Sequence, residues 1–160
     1  MYRAKAIEIT EETALLYVKA CCRCGSPGVA LRGLTDPAMR VGLWASAPAW
    51  NYLLARLDTM ALPAAVGEAS VSSAFAAMKG AGVPPNKHTY HLVARALLAA
   101  GSADEARAVA EAAKGAGELQ DSTAAMVAAG QAGGDPAAEL ASADPTLADE
   151  AALPPAAFAK

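Results

Sequence analysis

A tetrapeptide that recurs after 35 residues constrains the fold of this chain more than any other feature of the sequence. Lys-Gly-Ala-Gly begins at Lys79 and begins again at Lys114. Asn86 and Asp121 are separated by the same interval. A self-match at this period, falling on a helix–turn–helix unit, is typical of an α-solenoid, in which each repeat buries its apolar face against its neighbours.

The unit over residues 87–121 is the clearest copy of the repeat. Its first half has an apolar helical pattern that runs to Gly101, and its second half has another that runs to Gly117. Ser102 and Glu105 fit a capping box at the start of the second pattern, in which each side chain satisfies a free backbone donor near the other. The sequence therefore predicts two helices joined by a glycine turn.

Short motifs follow one register along this unit and the end of the preceding one. In the unit they are Thr89-Tyr90, Ala100-Gly101, Asp104-Glu105-Ala106, the ending Lys114…Gly117 and Asp121, and before it come Phe75, Met78-Lys79, Gly82-Val83, Pro85 and Asn86. In these residues the chain resembles the pentatricopeptide repeat (PPR) family, and the resemblance covers residues 11–121. It departs from the family at Ala110 and Ala113, where a large aromatic residue and a methionine are usual, so we expect the second helix of this unit to pack thinly.

The resemblance implies an all-α fold, an antiparallel helix-hairpin α-solenoid with a poorly structured C-terminal tail. The register gives a lead-in over residues 1–10 and a helical repeat domain over 11–132, with units at 11–46, 47–86 and 87–121 and a partial unit at 122–132. Residues 133–160 form an acidic segment rich in Ala and Pro. We expect this tail to be disordered alone or to lie on a partner, and its candidate anchors are Leu147, Leu153 and Phe158.

Composition predicts a thin core and an uneven charge. Apolar residues make up 54% of the chain but aromatic residues only 5%, so the buried area per residue is small and neighbouring subunits are expected to complete the core. The net charge is −3, yet residues 1–60 carry seven basic and five acidic residues, whereas 61–160 carry six and eleven. A nucleic-acid surface is therefore expected on the front half.

The resemblance also implies which residues would read RNA bases. In the PPR family one residue near the start of the first helix and the last residue of the same unit together read one base. The corresponding pairs are Leu15 with Ser46, Asn51 with Asn86, and His91 with Asp121. Leu15 has no polar group, so only Asn51 and Asn86 form a plausible polar reader. The alternative role for Asn86 is helix N-cap.

Basic residues on the first helices are the other candidates for RNA binding. The resemblance places these helices on the concave face, where side chains can contact phosphates without reading sequence. The candidates are Lys19, Arg23, Arg56 and Arg95. The alternative is that they belong to an ordinary solvated helix face.

Metal binding, catalysis and membrane insertion are not expected. Cys21, Cys22 and Cys24 lack a second spaced pair of ligands, and small buried residues in a helix interface are the favoured interpretation. The sequence contains no phosphate-binding glycine loop, no zinc-protease motif and no nucleophile elbow. No apolar run reaches about 18 residues, because Arg95 interrupts the best one. We therefore expect no cofactor and no catalytic residue.

The resemblance implies organellar RNA biology. The short length, the acidic balance and the poor base-reading pairs favour a structural, non-catalytic subunit of an organellar ribonucleoprotein. The specific expectation is a mitochondrial ribosomal protein that contacts rRNA and neighbouring proteins. The alternatives are a PPR-type RNA-processing or translation factor, a protein-binding helical-repeat adaptor, and a supernumerary subunit of a respiratory complex. The expected location is the mitochondrion, with the chloroplast as the alternative.

Overall fold

The structure is a computed structural model that describes residues 10–36, 45–59, 70–132 and 136–147. Within these ranges the chain is all-α, as predicted, and contains no strand. Its α-helices are Glu11–Arg23 (α1), Pro27–Thr35 (α2), Ala47–Thr59 (α3), Val71–Gly80 (α4), Lys87–Ala99 (α5), Ala103–Gly115 (α6), Asp121–Ala129 (α7) and Pro136–Ala143 (α8), and a 3₁₀ turn follows at Pro145–Leu147. None of these helices is long and apolar enough to cross a membrane.

Polar caps start three of the helices. Thr10, Ser70 and Asn86 each accept a hydrogen bond from a backbone N–H in the first turn and so satisfy one of its free donors. The capping box predicted at Ser102 is absent, because its side chain accepts no such bond and its backbone, at ψ 62°, leaves the extended region that caps require. Helix α6 forms nonetheless, since alanine is the best helix former and its first turn is acidic.

Glycines end both helices of the clearest unit, as predicted. Gly101 and Gly117 have φ angles of 80° and 75°, a left-handed conformation that side chains disfavour. At the first of these turns the N–H of Ser102 donates to the carbonyl of Leu97 at 2.8 Å. This bond satisfies a carbonyl that the end of α5 would otherwise leave free.

The helices pack in a repeated order. Helix α3 contacts both α1 and α5, and α5 in turn contacts α7. In addition α1, α3 and α5 each contact the helix that follows them in the chain. The centre of the core is formed by large side chains of α3, α4 and α5, among them Trp50, Leu53, Met78 and Val93. Helix α6 buries only alanines, namely Ala106, Ala110 and Ala113.

One contact between α1 and α2 depends on the absence of a side chain. The ring of Tyr17 lies against Gly33, and a Cβ built on Gly33 would be 2.6 Å from Tyr17 Cε1. The Tyr17 hydroxyl donates a hydrogen bond to the carbonyl of Val29 at 3.2 Å. The small residue thus lets α1 and α2 approach closely.

The segment 136–147 differs from the prediction of a poorly structured tail. It forms α8 and the 3₁₀ turn, and α8 packs against α3. Pro136 occupies the first position of α8, where its fixed φ favours a helix and its missing N–H has no cost. Leu147, one of the predicted anchors, is 4% exposed and belongs to the main apolar cluster. Leu153 and Phe158 lie outside the described residues.

Candidate functional site

The predicted reader residues Asn51 and Asn86 are brought together by the fold. Asn51 Nδ2 donates to Asn86 Oδ1 at 3.1 Å, and the Thr89 hydroxyl donates to Asn51 Oδ1 at 2.7 Å. Asn86 also caps α5, since its Oδ1 accepts from the backbone N–H groups of His88 and Thr89. Asn51 is 2% exposed. Both asparagines therefore link the start of α5 to α3.

The same arrangement recurs between α5 and α7. His91 is the fifth residue of α5, as Asn51 is of α3, and its Nδ1 lies 2.9 Å from Thr123 Oγ1. Thr123 is the third residue of α7, as Thr89 is of α5, and both threonines are buried. A polar residue at position five of one helix thus contacts a threonine at position three of the next.

The remaining predicted reader residues lie at the helix starts. Asp121 is the exposed first residue of α7. Leu15 is the fifth residue of α1 and partly buried, and Ser46, also partly buried, directly precedes α3. The third residue of α3 is the buried Ala49, so the α1–α3 contact has apolar residues where the later contacts have polar ones.

Arg95, a predicted phosphate contact, forms an ion pair with Asp58 across the α3–α5 interface. The two side chains are 13% and 7% exposed. Burial raises the pKa of the Asp58 carboxyl, while the charge and the hydrogen bond of Arg95 oppose that rise. The guanidinium of Arg95 therefore belongs to the helix interface.

The other three predicted cations lie on α1 and α3, and we call Lys19, Arg23 and Arg56 the cationic cluster. Lys19 Nζ is 5.7 Å and Arg56 Cζ 5.3 Å from the centre of the Tyr52 ring. Arg23 is exposed one helical turn beyond Lys19. Two helices thus contribute positive charge around one ring. The ring attracts the cations, and the positive charge in turn can attract an anion.

The cysteines lie beside this cluster as free thiols. Cys21 is partly buried, Cys22 is buried and Cys24 is exposed. Burial raises the pKa of the Cys22 thiol to about 11, although the positive charge of Arg56 opposes the rise. Cys22 is thus a protonated, apolar side chain at neutral pH. Within the described ranges no group of three or more His, Cys, Asp or Glu side chains is placed to hold a metal ion.

A cleft of about 350 Å³ opens beside the starts of α5 and α7 and the end of α8. Its walls are His88, His91, Leu92, Gln120, Ser122, Ser142 and Ala143. Burial lowers the pKa of His88, with further lowering from the charges of Lys87 and His91 and opposition from Asp144 and Glu118. Glu118 also accepts a hydrogen bond from the backbone N–H of Lys87 at 2.9 Å, so it supports the start of α5.

The sequence did not lead us to the side chains that contact the predicted site residues in the fold. Thr89 and Thr123 could have been found from the repeat, because each is the third residue of the first helix of its unit, α5 for Thr89 and α7 for Thr123. Asp58 and Arg95 have opposite charges close to one repeat length apart. Tyr52 gives no such signal, because its place beneath two cations depends on how α1 crosses α3.

Comparisons with models of known protein families, with curated proteins and with solved structures found no match to this chain.

Proposed function

We propose that this chain is a PPR-like α-solenoid that serves as a structural, non-catalytic subunit of an organellar ribonucleoprotein. The specific assembly is the mitochondrial ribosome, with a chloroplast ribonucleoprotein as the alternative. The cationic cluster contacts rRNA phosphates, and the remaining surface packs on neighbouring protein subunits. The successive contacts of α1, α3, α5 and α7 support the solenoid, as does the recurrence of one polar contact at matching positions of α3 and α5.

The observation that carries the RNA-binding role is the contrast between the two kinds of predicted site residue. Asn51 and Arg95 are largely buried and bonded to other helices, whereas Arg23 is exposed on α1, and Lys19 and Arg56 are half-buried beside the Tyr52 ring. Phosphate contacts fix the position of a protein on nucleic acid without sequence information. This distribution favours a fixed subunit over an RNA-processing factor that selects its sequence.

Sedimentation of the endogenous protein from lysed mitochondria tests this proposal. A ribosomal subunit should carry the protein through the gradient, and ribonuclease treatment should shift both together. Migration with a nuclease-resistant protein complex, or as a free small species, would contradict the proposal.

A second candidate function is a protein-binding adaptor. Leu16 on α1 is 59% exposed, and exposed large apolar side chains contribute to protein interfaces. An adaptor should keep its protein partner when Lys19, Arg23 and Arg56 are replaced by alanine, whereas an rRNA-bound subunit should lose its place in the ribosome. Copurification of the triple variant with partner proteins or with ribosomes separates the two functions.

A further inference from the structure

Each aromatic ring in the described ranges is buried or in contact with another group of the protein. Trp50, Tyr52 and Tyr90 are buried. Tyr17 lies against Gly33. Phe75 meets Tyr90 edge-on at 6.0 Å between ring centres, and Lys79 Nζ lies 4.4 Å from the centre of the Phe75 ring. Proteins that bind single-stranded RNA combine a cationic groove with aromatic rings on which bases stack, and Tyr52, the ring beside the cationic cluster, is 2% exposed and offers no such surface.

The polar groups that could read a base edge are also bonded within the fold. Asn51 is buried, and its amide group contacts Asn86 and Thr89. Reading a base with Asn51 would require breaking buried hydrogen bonds, and each buried polar group left without a partner is costly. Asn51 therefore has no available group with which to discriminate between the bases of a single strand.

What the surface does offer is positive charge from two adjacent helices. Lys19 on α1 and Arg56 on α3 lie over the same Tyr52 ring, and Arg23 extends the charge along α1. RNA double helices are recognised by shape and by contacts to phosphates and 2′-hydroxyls, not by base edges. We infer that the cationic cluster binds the sugar–phosphate backbone of an RNA double helix, an inference that rests on the proposed function and names the form of RNA.

The test measures binding of the full chain to two RNA probes by fluorescence anisotropy. One probe is a duplex of about 16 base pairs, the span that dedicated duplex-binding domains contact, and the other is one strand of it without self-complementarity. We expect the duplex to bind at least as tightly as the single strand. Changing the duplex sequence should alter the affinity by less than about threefold, because phosphate contacts carry no sequence information.

The variant Lys19→Ala/Arg23→Ala/Arg56→Ala should weaken duplex binding by about tenfold or more and reduce the salt slope by about 1 for each lost contact. The matched control is Lys79→Ala/Arg107→Ala/Lys114→Ala, which removes the same charge from exposed positions on α4 and α6. The control should bind like the parent chain, and circular dichroism should show both variants folded.

The outcomes separate the inference from the proposed function. A single strand bound about tenfold tighter than the duplex, with the same dependence on the cationic cluster, would overturn the duplex inference and leave RNA binding intact. Equal loss of binding in both triple variants would show a nonspecific charge effect and overturn the assignment to the cluster. Absence of binding to either probe would overturn both the inference and the RNA-binding role.

Discussion

Asn51 Nδ2 donates a hydrogen bond to Asn86 Oδ1 at 3.1 Å, across 35 residues of chain and between two adjacent helices. The pair was predicted from the resemblance to PPR proteins, which implies that such residues meet at a base. Here the two amide groups meet each other, and Thr89 completes the contact. The first consequence concerns stability.

Replacing Asn51 by alanine should destabilise the protein by about 1–3 kcal/mol, because Thr89 and Asn86 lose a buried hydrogen-bond partner. Urea unfolding followed by circular dichroism measures this change. The matched control is Asp121→Ala, which alters another predicted reader residue at an exposed position and should change stability by less than about 0.5 kcal/mol. Equal stability of the two variants would show that the Asn51 contact does not support the fold.

Removing one partner of the Asp58–Arg95 ion pair should destabilise the protein more than Asn51→Ala does. Asp58→Asn leaves the Arg95 guanidinium largely buried beside a neutral group, and breaking such a pair costs about 3–5 kcal/mol. The control Asp104→Asn breaks the exposed pair with Arg107 and should cost less than about 1 kcal/mol.

A double variant, Asp58→Asn/Arg95→Met, tests the cause of that loss. It removes both charges, so it should be more stable than Asp58→Asn alone. If the stability lost by the double variant instead equals the sum of the losses of Asp58→Asn and Arg95→Met, the two side chains do not interact.

Much of this architecture was predictable because it depends on local signals. The caps at Thr10 and Asn86 and the glycine stops follow from backbone chemistry that neighbouring residues determine. The capping box predicted at Ser102 is absent, since the turn after the left-handed Gly101 places Ser102 at a ψ of 62°, outside the capping conformation. The contacts of Tyr52 with Lys19 and Arg56 require the arrangement of whole helices, which no local pattern encodes.

The packing of Tyr17 on Gly33 predicts a steric effect that depends on position. Gly33→Ala places a Cβ 2.6 Å from Tyr17 Cε1, so the Tyr17 ring must move from its place beside Val29 or α1 and α2 must separate, at a cost of about 1–3 kcal/mol. Thermal unfolding of Gly33→Ala and of the control Gly115→Ala measures the difference. A Cβ at Gly115, also within a helix, meets nothing within 4 Å, so the control should be neutral or stabilised by up to about 1 kcal/mol. A stable Gly33→Ala variant would contradict the close packing.

The burial of Leu147 predicts that the C-terminal segment supports the fold. Leu147→Ala removes a side chain that is 4% exposed in the main apolar cluster and should destabilise the protein by about 2–4 kcal/mol. Hydrogen exchange should also show faster exchange in α8, whose contact with α3 weakens. The control Ala143→Gly changes an exposed residue at the end of α8 and should cost at most about 1 kcal/mol. Unchanged exchange in α8 would indicate that Leu147 does not anchor the segment.

His88 predicts how stability depends on pH. Its pKa is lowered from 6.5, chiefly by burial, so the unfolded chain binds a proton at a higher pH than the folded chain does. Stability should therefore fall as the pH drops below about 6.5, until the folded state is also protonated. Urea midpoints measured between about pH 8 and pH 5 should depend less on pH in His88→Gln, because glutamine does not titrate. An equally steep dependence in that variant would assign the effect to other groups.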